Sequence, residues 1–277
     1  MYKQIGTAIA VLLILCCCNS DGKDAQKRLD EGRALYESQQ FTAAKNVIDS
    51  VHVLYPREIA ARREALTLMR LVEKGECERN IAYIDSLLPV RIHESDALKK
   101  GFFFKKDATY DVIGNYIPNA MTVERNIERS YIRCGVNEEG EMYVASVYFG
   151  SGALNHTGLT FSANDGTFAA SPAIPYDGGL NYRFKDLGNT TEVVTYKGEK
   201  CKELANYIWI VNEKERIKAT YTGGKPFSLN LTDADKKAIK ATYELANVLN
   251  EITMMRKDKT KMEMKIMLLD EKISKTE

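Results

Sequence analysis

The chain has 277 residues but no apolar run long enough to cross a bilayer. Its longest oily stretch runs only from Ile5 to Leu15, against the roughly 20 residues that a spanning helix needs. Charge of one sign is also missing, since Lys and Arg nearly balance Asp and Glu and the net charge is +1. A concentrated basic surface is what phosphate backbones require, so nucleic acid is not an expected partner. Histidine is scarce, with His52, His93 and His156 scattered along the chain. No G-x-x-x-x-G-K-[ST] phosphate loop, H-E-x-x-H zinc motif or G-x-S-x-G elbow occurs. Neither a cofactor nor a metal is implied, and the chain is not expected to be an enzyme.

What is present begins at the N-terminus. Lys3 precedes the apolar run as the basic flank of an export signal. The run ends in LCCCNSDGKD. Three adjacent cysteines cannot easily wrap a tetrahedral ion, and no C-x-x-C partner follows. The stretch resembles a bacterial lipobox: an aliphatic residue, two small residues, then the cysteine that receives lipid. Leu15 is too large to precede a lipidated Cys16. Cys17 fits with Ile14 as the aliphatic residue. Cys18 fits best, with Leu15 aliphatic and Cys16 and Cys17 small. The resemblance implies a signal peptide over 1–17, lipidation at Cys18 and a polar tether over 18–23. Acyl chains contribute about 0.8 kcal/mol per buried methylene, so several anchor a protein firmly. Cys77, Cys134 and Cys201 remain in the mature chain. Buried thiols are the simplest expectation, and at most one disulfide can form among them.

The segment 24–89 is helical in character. Leu29, Leu35 and Tyr36 lie on one stretch, and Phe41, Ala44, Val47, Ile48 and Val51 on the next, before Pro56. Spacings of three and four place each set on one helix face. Gly32, Leu35, Phe41, Ala44, Ile48, Val51 and Pro56 resemble the consensus of a tetratricopeptide repeat, although Arg28 stands where Trp is common. Residues 59–89 are expected to add a second hairpin ending at Pro89, because Ile48-Asp49-Ser50-Val51 is echoed by Ile84-Asp85-Ser86-Leu87. The same two Asp-Ser-aliphatic triplets resemble an O-glycosylation acceptor of Bacteroidetes.

From 90 to 232 the composition turns to Tyr, Phe, Gly, Asn and Thr. Strands are expected at 128–136 and 142–149 around a turn at NEEG, with a second hairpin about Asn164-Asp165-Gly166. TEVVTY (191–196) reads as a strand and GEKCKELANYIWIV as a helix. ERIKATYTGGKPFSLNL reads as a hairpin turning at Gly223 and Gly224. Thr232 is a candidate N-cap for a helix from Asp233 to about Ile273. Leu245, Val248, Ile252, Met255, Met262, Ile266, Leu269 and Ile273 follow a heptad, with Lys259 at one core position. Packing on the rest of the chain, a self-associating coiled coil and a solvated arm all satisfy that pattern. The fold class is therefore α+β: helical hairpins, a central antiparallel β region over 90–232, and a long helix over 233–277.

Candidate binding residues come from the aromatic, loop-rich middle. Tyr176 and Tyr182 belong to it, and His156 sits in the loop SGALNHTGL, where a ligand contact is conceivable. Aromatics of this kind serve either as core or as a platform for sugars or peptides. Glu138 and Glu139 are expected to be solvated at a hairpin tip. The lipobox, the tether and the stretch from EVVTYKGEKCKELANYI to IKATYTGGKPFSLNLTDADKKAI together resemble uncharacterised lipoproteins of gut Bacteroidetes. That resemblance implies a lipid-anchored protein of the cell envelope, most simply at the outer membrane. The expected role is protein binding or scaffolding. The alternative is a carbohydrate or small-ligand binder using the aromatics of the β region. The expected partners are membrane lipid, through the acylated cysteine, and a protein or glycan.

Overall fold

A computed structural model describes residues 5–109, 111–212 and 214–275, with side chains of the first helix described from Ser20 onward. The lipidation expected at Cys18 therefore concerns a side chain outside the described ones. The protein is α+β, with an N-terminal helical region, antiparallel sheets in the centre and a long C-terminal helix. Among the described residues no helix is long and apolar enough to cross a membrane. The chain divides into two compact units, one of Met1–Leu87 with Arg256–Glu277 and one of Leu88–Met255.

In the helical unit, α1 (Ile5–Glu37) and α2 (Phe41–Leu54) form a hairpin. The turn closes as a Schellman motif: Gln39 adopts φ 59°. Gln40 N–H donates to Leu35 O (2.9 Å) and Gln39 N–H to Tyr36 O (2.9 Å). Ala25 and Leu29 of α1 pack with Phe41, Ala44, Ile48 and Val51 of α2. Gly32 permits that approach, since a Cβ there would lie 2.8 Å from Ile48 Cγ1. The second hairpin expected over 59–89 does not form. A single helix, α3, runs from Ile59 to Leu98 with Pro89 inside it. Nothing between Ile59 and Pro89 breaks a helix except Gly75, which costs only about 1 kcal/mol relative to Ala. Gly75 is instead a contact point, where a Cβ would lie 2.9 Å from the Tyr36 ring. Ser50 and Ser86 both turn their hydroxyls to helix carbonyls, Val47 O at 2.6 Å and Tyr83 O at 2.7 Å.

The end of α5 (Asp233–Ser274) belongs to this unit. It runs antiparallel to α3 through Lys74–Asp270 (2.6 Å), Lys265–Glu73 (3.1 Å) and Lys259–Asp85 (2.5 Å). Leu269 is buried, and the other heptad positions Met262, Ile266 and Ile273 are half-buried. The heptad stripe is thus used within the chain, and Lys259 sits at its core position because Asp85 faces it.

The second unit is a two-sheet β domain. The six-stranded sheet has the order β1 (Phe102–Lys105), β2 (Asn115–Pro118), β3 (Tyr131–Asn137), β4 (Met142–Gly150), β8 (Asn189–Lys197), β7 (Asn181–Asp186). The four-stranded sheet has the order β10 (Phe227–Asn230), β9 (Ile217–Thr222), β5 (Gly158–Ala163), β6 (Phe168–Ala170). All pairings are antiparallel. Alternation assigns the faces. Ile132, Cys134 and Val136 of β3, Val144 of β4, and Val194 and Tyr196 of β8 enter a core shared with Leu159, Phe161, Ala219 and Tyr221 of the smaller sheet. The helix α4 (Glu199–Ile210) adds Cys201, Leu204 and Ile208, and the first half of α5 adds Ile239, Leu245 and Leu249. Thr232 caps α5: its hydroxyl donates to Asp235 (2.7 Å) and accepts from Asp235 N–H (3.1 Å). Glu138 is exposed at the hairpin tip, as expected, and also accepts from Gly114 N–H at 2.7 Å, which lowers its pKa.

Candidate functional site

The register of four strands builds a platform on the outer face of the six-stranded sheet. Tyr131 pairs with Val147, Val147 with Val193, and Val193 with Tyr182. These residues form one transverse row with a tyrosine at each end. Beside it runs the row Phe149–Thr191–Phe184, and on the other side Arg133–Ala145–Thr195. Tyr131, Val147 and Val193 are buried although they face away from the main core. What shelters them is a groove of about 280 Å³ with two walls. One wall is the segment Val123–Arg129, and the other is the β7–β8 turn at Leu187.

Both walls are built structures. The first is held by Asn126, whose side-chain amide donates to Ala120 O (3.1 Å) and Thr122 O (2.8 Å). Ser130 then ties it to β4, accepting from Phe149 N–H at 3.0 Å. Arg129 places its guanidinium 6.0 Å from the centre of the Tyr131 ring. The second wall is a two-residue hairpin, because Asp186 pairs with Asn189. Leu187 and Gly188 both take positive φ, 45° and 82°, the signature of the turn that suits strand twist. A leucine there is strained, and it is 91% exposed. Ile127 and Phe184 also face solvent at the groove mouth. The groove therefore offers an apolar and aromatic floor with hydroxyl, amide and guanidinium groups at its edges, the usual make-up of a small-ligand site. Burial raises the pKa of Tyr131, and that of Tyr143 on the same face to about 12. Both hydroxyls stay protonated at neutral pH and can donate.

The three residues singled out from sequence are not brought together. Tyr182 lies on the groove floor. Tyr176 is exposed and stacks under the Arg183 guanidinium (4.8 Å), beside an open depression lined by Asn155 and Lys185. His156 is 1% exposed and points into the protein, away from any surface ligand. Its loop folds inward because Asn155 adopts φ 58° and the Asn181 amide donates to His156 O (3.2 Å).

His156 completes an arrangement that looks catalytic in outline. Its Nδ1 lies 2.9 Å from Glu192 Oε2, and its Nε2 lies 2.9 Å from Ser146 Oγ. A hydroxyl, an imidazole and a carboxylate in this order are the parts of a nucleophilic triad. All three side chains are sealed in the core, however, and His156 is stacked on Tyr221 at 4.8 Å. No acyl carbonyl can reach Ser146 without unpacking the two sheets. The chain of hydrogen bonds is a structural tie between the loop before β5 and the strands β4 and β8.

A larger cleft of about 530 Å³ lies among the β3–β4 turn, the start of α4 and α5. Glu141, Glu199, Lys202, Asn247 and Asn250 line it, with Tyr243 as its aromatic. It lacks a stacking floor. Comparison with family models, with curated proteins and with solved structures gives no match in any of the three.

The groove residues Tyr131 and Phe184 were not selected from sequence. Their signal is present as alternation in SYIRC and NYRFKD. It becomes informative only with the cross-strand register, which a sequence alone does not supply.

Proposed function

We propose that this chain is a non-catalytic binding module, held in the cell envelope by an acyl group on Cys18. Its ligand is a small carbohydrate seated in the outer-face groove. The row Tyr131–Val147–Val193–Tyr182 carries the reading. A flat apolar strip ending in two tyrosines matches the apolar face of a sugar ring, while edge hydroxyls and amides match its hydroxyls. At about 280 Å³ the groove lies at the lower edge of the size range of ligand pockets, which limits it to a small sugar. A protein-scaffold role would draw on tandem helical repeats, of which the α1–α2 hairpin is one and α3 is a single helix.

The test is titration calorimetry with a panel of neutral and acidic oligosaccharides, on the full chain and on Tyr182→Ala and Phe184→Ala. Loss of one aromatic contact should weaken binding about tenfold, in line with roughly 1 kcal/mol for such contacts. Unchanged far-ultraviolet circular dichroism should accompany it. If no member of the panel binds, or if both variants bind as the parent does, the groove is not the site.

A further inference from the structure

We infer that the groove's sugar carries a carboxylate, and that Arg133 receives it. This rests on the groove reading above and adds the charge of the ligand. Arg133 stands one row from the platform on the same face of β3, two residues from Tyr131 and so about 7 Å along the strand. A ring stacked on the platform therefore projects a substituent over the guanidinium.

At Arg133 the groove opens into a second depression of about 300 Å³. Arg133 and Val123 line both. The second depression also takes Lys105 from β1 and Lys197 from β8, against one acid, Asp111. That acid already has a backbone partner, since its carboxylate accepts from Asp107 N–H at 2.9 Å. Among the described residues no salt bridge is formed by Arg133, Lys105 or Lys197. The Arg133 guanidinium touches the Tyr131 hydroxyl, and its Nε, shut away from solvent, has no acceptor. Three cations thus line one hollow against a single carboxylate, which leaves an excess of positive charge there. Lys74, Lys259 and Lys265 of the helical unit are, by contrast, each paired with a carboxylate.

The geometry favours a planar anion. A guanidinium meets a carboxylate through two parallel N–H···O bonds, whereas Lys105 and Lys197 act as point charges that attract any anion. Tyr143 adds a neutral donor. Its ring lies over Gly135, where a Cβ would come within 2.7 Å of it, and its hydroxyl stays protonated. A uronic-acid sugar presents what the two hollows offer: an apolar ring face for the platform and a carboxylate for Arg133.

Calorimetry on the full chain in detergent micelles would compare a uronic-acid trisaccharide, its methyl ester and a sulfated neutral trisaccharide. The acid should bind about tenfold more tightly than its ester, as a charge-assisted pair predicts. Arg133→Gln should erase that difference between acid and ester. The exposed Lys197→Gln, which carries no folding risk, should narrow the difference about threefold, as expected of a screened point charge. Raising salt should weaken the acid and not the ester. Equal binding of acid and ester by the parent chain overturns the carboxylate while the sugar groove stands. Tighter binding of the sulfated sugar than of the acid overturns it too. If none of the three binds, both readings fall together.

Discussion

His156 Nδ1 and Glu192 Oε2 lie 2.9 Å apart inside the β domain, with both side chains almost wholly shut off from water. Burial lowers the imidazole pKa from its ordinary 6.5, against the pull of the Glu192 carboxylate, which raises it. The folded state therefore holds a neutral imidazole, with Nδ1–H donated to Glu192 and Nε2 accepting from Ser146. When the chain unfolds, the imidazole titrates normally. Below about pH 6.5 the unfolded state then binds more protons than the folded state, so stability falls as the pH falls. The melting temperature should drop between pH 7.5 and pH 5, and His156→Gln should flatten that slope while lowering stability throughout. An identical slope in the variant would show that His156 does not carry it. Glu138, Asp165 and Asp177 have lowered pKa values, so their contributions are lost only under more acidic conditions.

The carboxylate is the hub of the same tie. Asn155 N–H donates to Glu192 at 2.9 Å and His156 N–H at 3.4 Å, in addition to the ring nitrogen. Glu192→Ala strands these donors in a dry core, and the loss should reach about 3–5 kcal/mol, as for other broken buried pairs. Ser146→Ala removes one neutral hydrogen bond and should cost about 1 kcal/mol. Chemical denaturation separates the two. Near-equal losses would mean that the carboxylate is not the hub.

Much of this architecture could be read from residue order. The strands expected at 128–136, 142–149 and 191–196 all form, as β3, β4 and β8. The heptad of α5 and its Thr232 cap were legible for the same reason: local pattern maps directly onto local geometry. The helix α3 was not legible in this way. The Asp-Ser echo at 49 and 85 suggested a second hairpin, yet no residue between Ile59 and Pro89 supplies a turn, and helix formation simply propagates. The groove was hidden because its two ends lie on different strands. Only the register brings Tyr131 and Tyr182 into one row, and only the unusual turn at Leu187 raises its second wall. His156 looked like a loop residue available to ligand, but a left-handed Asn155 turns it into the core.

Leu187 is the residue whose backbone and side chain disagree most with their surroundings. Its positive φ suits Asn or Gly, and its exposed side chain gains nothing from the core. Leu187→Asn should stabilise the β domain by up to about 1 kcal/mol, since it relieves left-handed strain in a two-residue turn. If the leucine is kept to wall the groove, the same substitution should weaken sugar binding. Thermal melts and calorimetry on one variant measure both. A variant that is less stable would show that the turn is not strained.

The lipidation proposed at Cys18 has a direct readout. Metabolic labelling with palmitate should mark the chain, and Cys18→Ala should abolish the label and release the protein from the membrane fraction. Label retained by Cys18→Ala would move the site to Cys17 or remove the lipobox reading altogether.

The three remaining cysteines set a different expectation. Cys77, Cys134 and Cys201 are unpaired and buried. Burial pushes the thiols of Cys134 and Cys201 up to about 12 and raises that of Cys77. Thiolate is the reactive form, so its near absence protects these groups from oxidation as well as from electrophiles. Cys134 spends its sulfur contacts on Thr242 Oγ1 (3.2 Å) and Met121 Sδ (3.4 Å), and Cys201 on Met142 O (3.3 Å). An aromatic disulfide reagent at pH 8 should therefore leave the native protein almost unmodified over minutes and titrate all three thiols once guanidinium unfolds it. Fast reaction of one native thiol would locate a local opening. Cys77 is the place to look first, because its pKa is raised less than those of the two thiols in the β domain.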